Sequence, residues 1–140
     1  RTAREWLDRV GLTDSENVMP PLLSGGMRQR VTLARAFAVP AGAILLDEPF
    51  QNLDLAARIT LCRMTRELHA QRHGATLFVT HDAVEAALVS DRVVVLAPRP
   101  TNVVTGLENP LADPQRDPRD PSLQAFVAEL YERILSSSQQ

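Results

Sequence analysis

At 140 residues, 44% of them apolar, the chain is long enough for one domain with a hydrophobic core, yet no apolar run approaches the roughly 20 residues of a membrane-spanning helix. A net charge of −2 argues against a nucleic-acid-binding surface, and a single cysteine, Cys62, excludes an internal disulfide and fits a reducing compartment. The first residues carry no secretion-signal pattern, and the opening Arg1 suggests a processed chain or the latter part of a longer one. All 15 basic residues are arginine.

Residues 3–10 place Trp6, Leu7 and Val10 at helical spacing, and Gly11 is positioned to end that helix. Residues 12–23, with Pro20 and Pro21, read as an irregular or short helical connector. The next helix is predicted to start at Ser24 or just after it, with Val31, Ala34, Phe37 and Ala38 as its apolar stripe. Residues 43–46 are a short apolar run of the kind found in buried parallel strands. Residues 54–72 read as a helix with Ile59, Leu61, Met64 and Leu68 toward the core, followed by Gly74.

Residues 76–80 form a second buried strand, and Asp82 and Glu85 are placed as a capping box for another helix. Residues 92–97, led by Val93, Val94 and Val95, form a third strand. Strand, helix, strand, helix, strand implies an α/β fold with parallel pairing and right-handed crossovers. Beyond residue 97 a proline-rich stretch, residues 98–120, is predicted to be a linker or extended surface segment. Asp120 and Pro121 then open a last helix carrying Leu123, Phe126, Val127, Leu130, Ile134 and Leu135. It closes segment 121–140, whose end from Ser136 onward is expected to fray.

Three clusters carry possible chemistry. Leu23-Ser24-Gly25-Gly26-Met27-Arg28-Gln29-Arg30 places two glycines at a helix start, where exposed backbone N–H groups and the helix dipole favour a phosphate. Taken alone it reads first as a glycine turn and a serine cap before a core helix, since capped helix starts are common. Ile44-Leu45-Leu46-Asp47-Glu48-Pro49 brings two carboxylates to the carboxyl end of a strand, where open parallel sheets bind ligands. There Asp47 can hold Mg²⁺ through its water shell, Glu48 can polarise an attacking water, and Pro49 restricts Glu48. A solvated acidic pair is the plainer alternative. Phe78-Val79-Thr80-His81-Asp82 ends the second strand in a histidine able to contact a phosphate or a water, or merely to lie on the surface. His69 and His73 are assigned no role.

Together these clusters, joined by Asn52-Leu53-Asp54, resemble the ABC ATPases in their order and spacing. Residues 23–30 resemble the family's LSGGQ signature, residues 45–49 its Walker B strand, residues 51–54 its D-loop, and His81 its switch histidine. Ser24 and Asp47 stand 23 positions apart, and Glu48 and His81 stand 33 apart. The resemblance covers residues 12–96 and implies a partial P-loop NTPase fold, a parallel sheet core with part of the helical subdomain. In its terms residues 1–97 are a partial ABC ATPase domain: residues 1–40 the helical subdomain and signature helix, residues 41–97 the sheet core from Walker B to the switch histidine.

The resemblance further implies that Ser24, Gly25, Gly26 and Met27 contact the γ-phosphate of ATP held by a second ATPase subunit in a head-to-tail dimer. Asp47 would help to hold Mg²⁺, Glu48 would act as general base, His81 would stabilise the transferred phosphate, and Asp54 would communicate across the dimer. Met27 departs from the commonest signature, which has glutamine there, but leaves the backbone N–H groups in place. The run from Val94 to Pro100 looks like that of ATPases serving nitrate, sulfonate, taurine and pyrimidine-precursor importers. This implies an integral membrane permease as partner, a solute-binding protein acting indirectly, no nucleic acid, and a place at the cytoplasmic face of the membrane.

Family members also carry a P-loop ending in Gly-Lys-Ser/Thr, which cradles the phosphates and helps ligate Mg²⁺. These 140 residues contain no lysine, so the expectation is a fragment inactive on its own. Two other organisations stay open: a non-catalytic module lending its signature helix to a full-length partner, and a soluble ABC ATPase of DNA repair or translation. The absence of coiled-coil heptads counts against the latter.

Overall fold

Thr2 opens the first helix, α1 (Ala3–Arg9), by a reciprocal cap: its hydroxyl accepts the Glu5 N–H at 3.3 Å while the Glu5 carboxylate accepts the Thr2 N–H at 2.7 Å. Gly11, at φ +66°, takes the left-handed conformation that ends this helix without a steric penalty. The computed structural model describes residues 2–96, 103–111 and 116–137. They divide between Val79 and Thr80 into two compact units.

In the first unit two short 3-10 turns, Thr13–Ser15 and Pro20–Leu22, lead to helix α2 (Gly25–Ala38). Arg4 anchors this connector through paired hydrogen bonds to Glu16 at 2.6 and 2.9 Å, which raise the guanidinium pKa above its usual value. Helix α2 buries Leu33, Ala34 and Phe37. The expected stripe is therefore displaced: Val31 is half-buried and Ala38 exposed, whereas Leu33, one turn before Phe37, is enclosed.

Strand β1 (Ala43–Asp47), helix α3 (Leu55–Ala70) and strand β2 (Ala75–Val79) form a β-α-β unit, with β1 and β2 parallel and Asp47 opposite Val79. Helix α3 buries Leu61, Cys62, Thr65 and Leu68, leaving Ile59 and Met64 half-buried. Thr65 is accommodated because its hydroxyl donates to the Leu61 carbonyl at 2.8 Å. One sheet face buries Ile44 and Leu46; on the other, Leu45 and Leu77 are 65% and 63% exposed.

The second unit opens with helix α4 (Ala83–Val89), whose cap, Asp82, accepts the N–H groups of Val84 at 2.8 Å and Glu85 at 3.2 Å. The reciprocal half of the expected capping box runs through Thr80. Its hydroxyl accepts the Asp82 N–H at 3.0 Å and donates to the Glu85 carboxylate at 2.7 Å. Strand β3 (Arg92–Leu96) does not extend a parallel sheet. It pairs antiparallel with β4 (Val103–Glu108), in the segment expected to be a linker. Pro100 and Pro110 stand outside β4, so no ladder N–H is lost to proline and the run Val103-Val104-Thr105-Gly106-Leu107 is free to pair.

After β4, two side chains close the carboxyl end of α4. The Asn109 amide donates to the carbonyls of Ala87 at 2.8 Å and Ser90 at 3.0 Å. Arg116, only 3% exposed, donates to the same two at 2.8 and 2.6 Å and to Leu111 at 2.6 Å. Charged donors on the last carbonyls of a helix satisfy acceptors that have no intrahelical partner. Helix α5 (Pro121–Ser137) follows its Asp120 cap as expected and buries Leu123, Phe126 and Leu130. Ser136 and Ser137 are helical, and the remainder of the expected frayed end lies outside the described residues, as do residues 97–100 of the importer-like run. Among the described residues no helix is long and apolar enough to cross a membrane.

Candidate functional site

The start of α2 is built to leave backbone available. Ser24 adopts extended backbone at ψ 165° and its hydroxyl accepts the Met27 N–H at 3.2 Å. Gly25 and Gly26 occupy the first helical positions, whose N–H groups have no acceptor within the helix. A Cβ on Gly26 would meet nothing within 4 Å, so the space over that backbone is open. The Met27 amide is already committed to the cap, which makes Met27 the least available of the four expected phosphate contacts. Arg28 reaches back to the carbonyl of buried Leu23 and fixes the turn before the helix.

At the end of β1, Asp47 is exposed and Glu48 half-buried. Glu48 holds φ +44°, outside the extended region that a following proline favours. The expectation that Pro49 fixes this turn is thus only part of the account. Left-handed backbone at a glutamate costs about 1–3 kcal/mol and persists only where neighbours enforce it. Here the Glu48 N–H donates to the Val79 carbonyl at 2.9 Å, the Gln29 side-chain amide donates to the Pro49 carbonyl, and Phe50 is wholly buried against Phe78, ring centroids 5.5 Å apart. Asn52, at φ +65°, turns the chain again, a conformation asparagine tolerates better than most residues. Asp54 caps α3 by accepting the Ala57 N–H at 2.9 Å, so it has a structural duty whatever else it does.

These two stretches meet within the first unit. A Cβ on Gly25 would lie 3.7 Å from Leu53, and Gln29 spans to Pro49. Gln29 belongs to none of the expected site roles, and its signal in the sequence is its place four residues after Gly25, which puts both on one helix face. His81 lies two residues beyond Val79 in the chain, is exposed, and belongs to the second unit, where it directly precedes the α4 cap. His69 joins α3 to β2 through a 3.0 Å contact between Nδ1 and the Thr76 hydroxyl.

Among the described residues no group of three or more His, Cys, Asp or Glu side chains forms a metal cage. One exposed carboxylate, Asp47, suits a Mg²⁺ ion that keeps most of its waters and takes its other ligands from substrate phosphates. The first unit thus holds a glycine-rich helix start docked on the turn that follows a carboxylate pair at a strand end.

Residues 1–51 match the family model described as ABC transporter. The chain is 52% identical over 99 residues to the aliphatic sulfonates import ATP-binding protein SsuB of Mycobacterium sp. (strain MCS), covering 69% of this chain and 40% of that one. It is 43% identical over 131 residues to SsuB 2 of Pseudomonas syringae pv. tomato, covering 90% of this chain and 56% of that one. The chain thus spans about half the length of these curated relatives or less. Among solved structures, an inward-facing ABC transporter of the metal-chelate type superposes with a TM-score of 0.66 at 29% identity, over 76% of this chain and 41% of that one. The α/β fold, the glycine-rich start of α2 and these likenesses together establish that the chain belongs to the ABC transporter ATP-binding family.

Proposed function

We propose that this chain is part of an ATP-hydrolysing subunit that powers uptake of a small organic anion, of the sulfonate class, through a membrane permease. The observation that carries the reading is the docking of the α2 start on the turn after β1, with Gly25 beside Leu53 and Gln29 on Pro49. The names of the sulfonate-import relatives support the solute class.

In this reading Ser24 and the N–H groups of Gly25 and Gly26 receive the γ-phosphate of a nucleotide held by a second ATPase subunit. Hydrogen bonds from fixed N–H groups at a helix start need no reorganisation when negative charge grows on the phosphate. Glu48 orients a water and accepts its proton; the enforced turn holds that carboxylate in place. Asp47 binds Mg²⁺, His81 steadies the phosphate, and Asp54 relays occupancy across the dimer. Bound Mg²⁺–ATP supplies the phosphoryl group and the neutralising charge. The subunit then works at the cytoplasmic face of the membrane, held there by the permease.

These residues contain no lysine, so a P-loop lysine has to come from polypeptide outside them, and the chain alone is expected to show no ATP turnover. The open face of β1 and β2, with Leu45 and Leu77 exposed, supports a chain that works within a larger sheet. In the assembled transporter, Glu48→Gln should cut ATP hydrolysis by about 10²–10⁴-fold while nucleotide still binds. Turnover within tenfold of the native rate would remove Glu48 from the role of base.

A further inference from the structure

We infer that a cleft at the opposite end of α2 from Ser24 is a binding site for a small organic anion with a flat apolar body. The inference does not depend on the nucleotide reading. The cleft has a volume of about 580 Å³, within the range of small-molecule sites, and is lined by Trp6 and Arg9 from α1, Phe37 at the end of α2, and Arg72 and His73 after α3, among others.

No residue lining it is acidic. Both arginines lie against aromatic rings: the Arg9 guanidinium stands 4.5 Å from the Trp6 ring centre, and that of Arg72 stands 5.8 Å from the Phe37 ring centre. Positive charge is thus held beside flat apolar walls, the arrangement that suits a ring or short chain ending in a carboxylate or sulfonate. Arg72 adds a second observation. Its Nη2 donates to the Ala41 carbonyl, but its Nη1 is buried without a hydrogen-bond partner. A buried donor left unmatched is unfavourable, and an anionic acceptor would satisfy it with a charge-assisted bond. Because Phe37 and Ala38 end the helix that Ser24 begins, a ligand here would bear on the same rigid element as the phosphate-facing glycines.

Trp6 is the only tryptophan, so its indole N–H resonance reports on this cleft alone. With the 140-residue chain, benzoate should shift that resonance saturably, whereas benzamide, of the same shape without charge, and inorganic phosphate, charged without a ring, should not. Arg72→Gln should weaken benzoate binding about tenfold or more, and Arg35→Gln, at an exposed position on α2, should leave it unchanged. The inference is overturned if benzoate gives no saturable shift, if benzamide or phosphate binds as well as benzoate, or if Arg72→Gln keeps native affinity. Should Arg72→Gln lose its dispersed spectrum, the comparison of benzoate with benzamide on the native chain decides.

Discussion

The two units of this chain are held together in different ways. In the first, regular elements do the work: α2 and α3 bury apolar stripes, and a parallel β-α-β unit sets the carboxyl end of β1 beside that of β2. In the second, a proline-rich stretch supplies its own strand and then two polar side chains, Asn109 and Arg116, that finish α4 from outside the helix. The first holds its local strain at Glu48, within the carboxylate pair itself; in the second the buried charge of Arg116 serves structure. Candidate chemistry thus lies mostly where the scaffold is periodic, and the irregular segment serves to hold its own unit closed.

This contrast can be broken at either side. The larger effect is expected from Phe50→Ala, which removes a fully enclosed ring from the turn that fixes Glu48 and should cost about 3–5 kcal/mol. Hydrogen exchange should show protection lost across residues 43–79 while α4 and α5 stay protected. A uniform loss over both units would mean that they fold as one. Arg116→Met should cost about 3 kcal/mol, because three carbonyls lose charged donors, two of them at the end of α4. Its signature is early exchange in α4 and β3 with β1 and β2 unaffected, and a native melting profile would show that Asn109 alone suffices.

What could be read in the sequence follows from the same contrast. The helices, the parallel pairing of β1 with β2, and the Ser24 and Asp120 caps were legible because each rests on local chemistry with a fixed spacing. The expected α2 stripe leaves out Leu33, which is buried with Ala34 and Phe37 while Val31 and Ala38 are not. Strand β4 was hidden by the prolines around it, although none falls within Val103–Glu108. Arg116 was beyond sequence reading: its partners lie 29, 26 and 5 positions away, and no periodicity links them. At the candidate site the carboxylates and glycines were visible as motifs. The left-handed turn at Glu48 was not, because it is imposed by Val79, Gln29 and Phe78, which lie far along the chain.

The central claim is that the backbone at the α2 start faces a phosphate, and Gly26→Ala tests it most directly. The added methyl meets open space and improves helix propensity, so stability should hold or rise by up to about 1 kcal/mol, read as an unchanged or higher melting temperature. In the assembled transporter the same methyl should obstruct the approaching phosphate and cut ATP turnover at least tenfold. A variant that is both as stable and as active as the native protein would contradict the account.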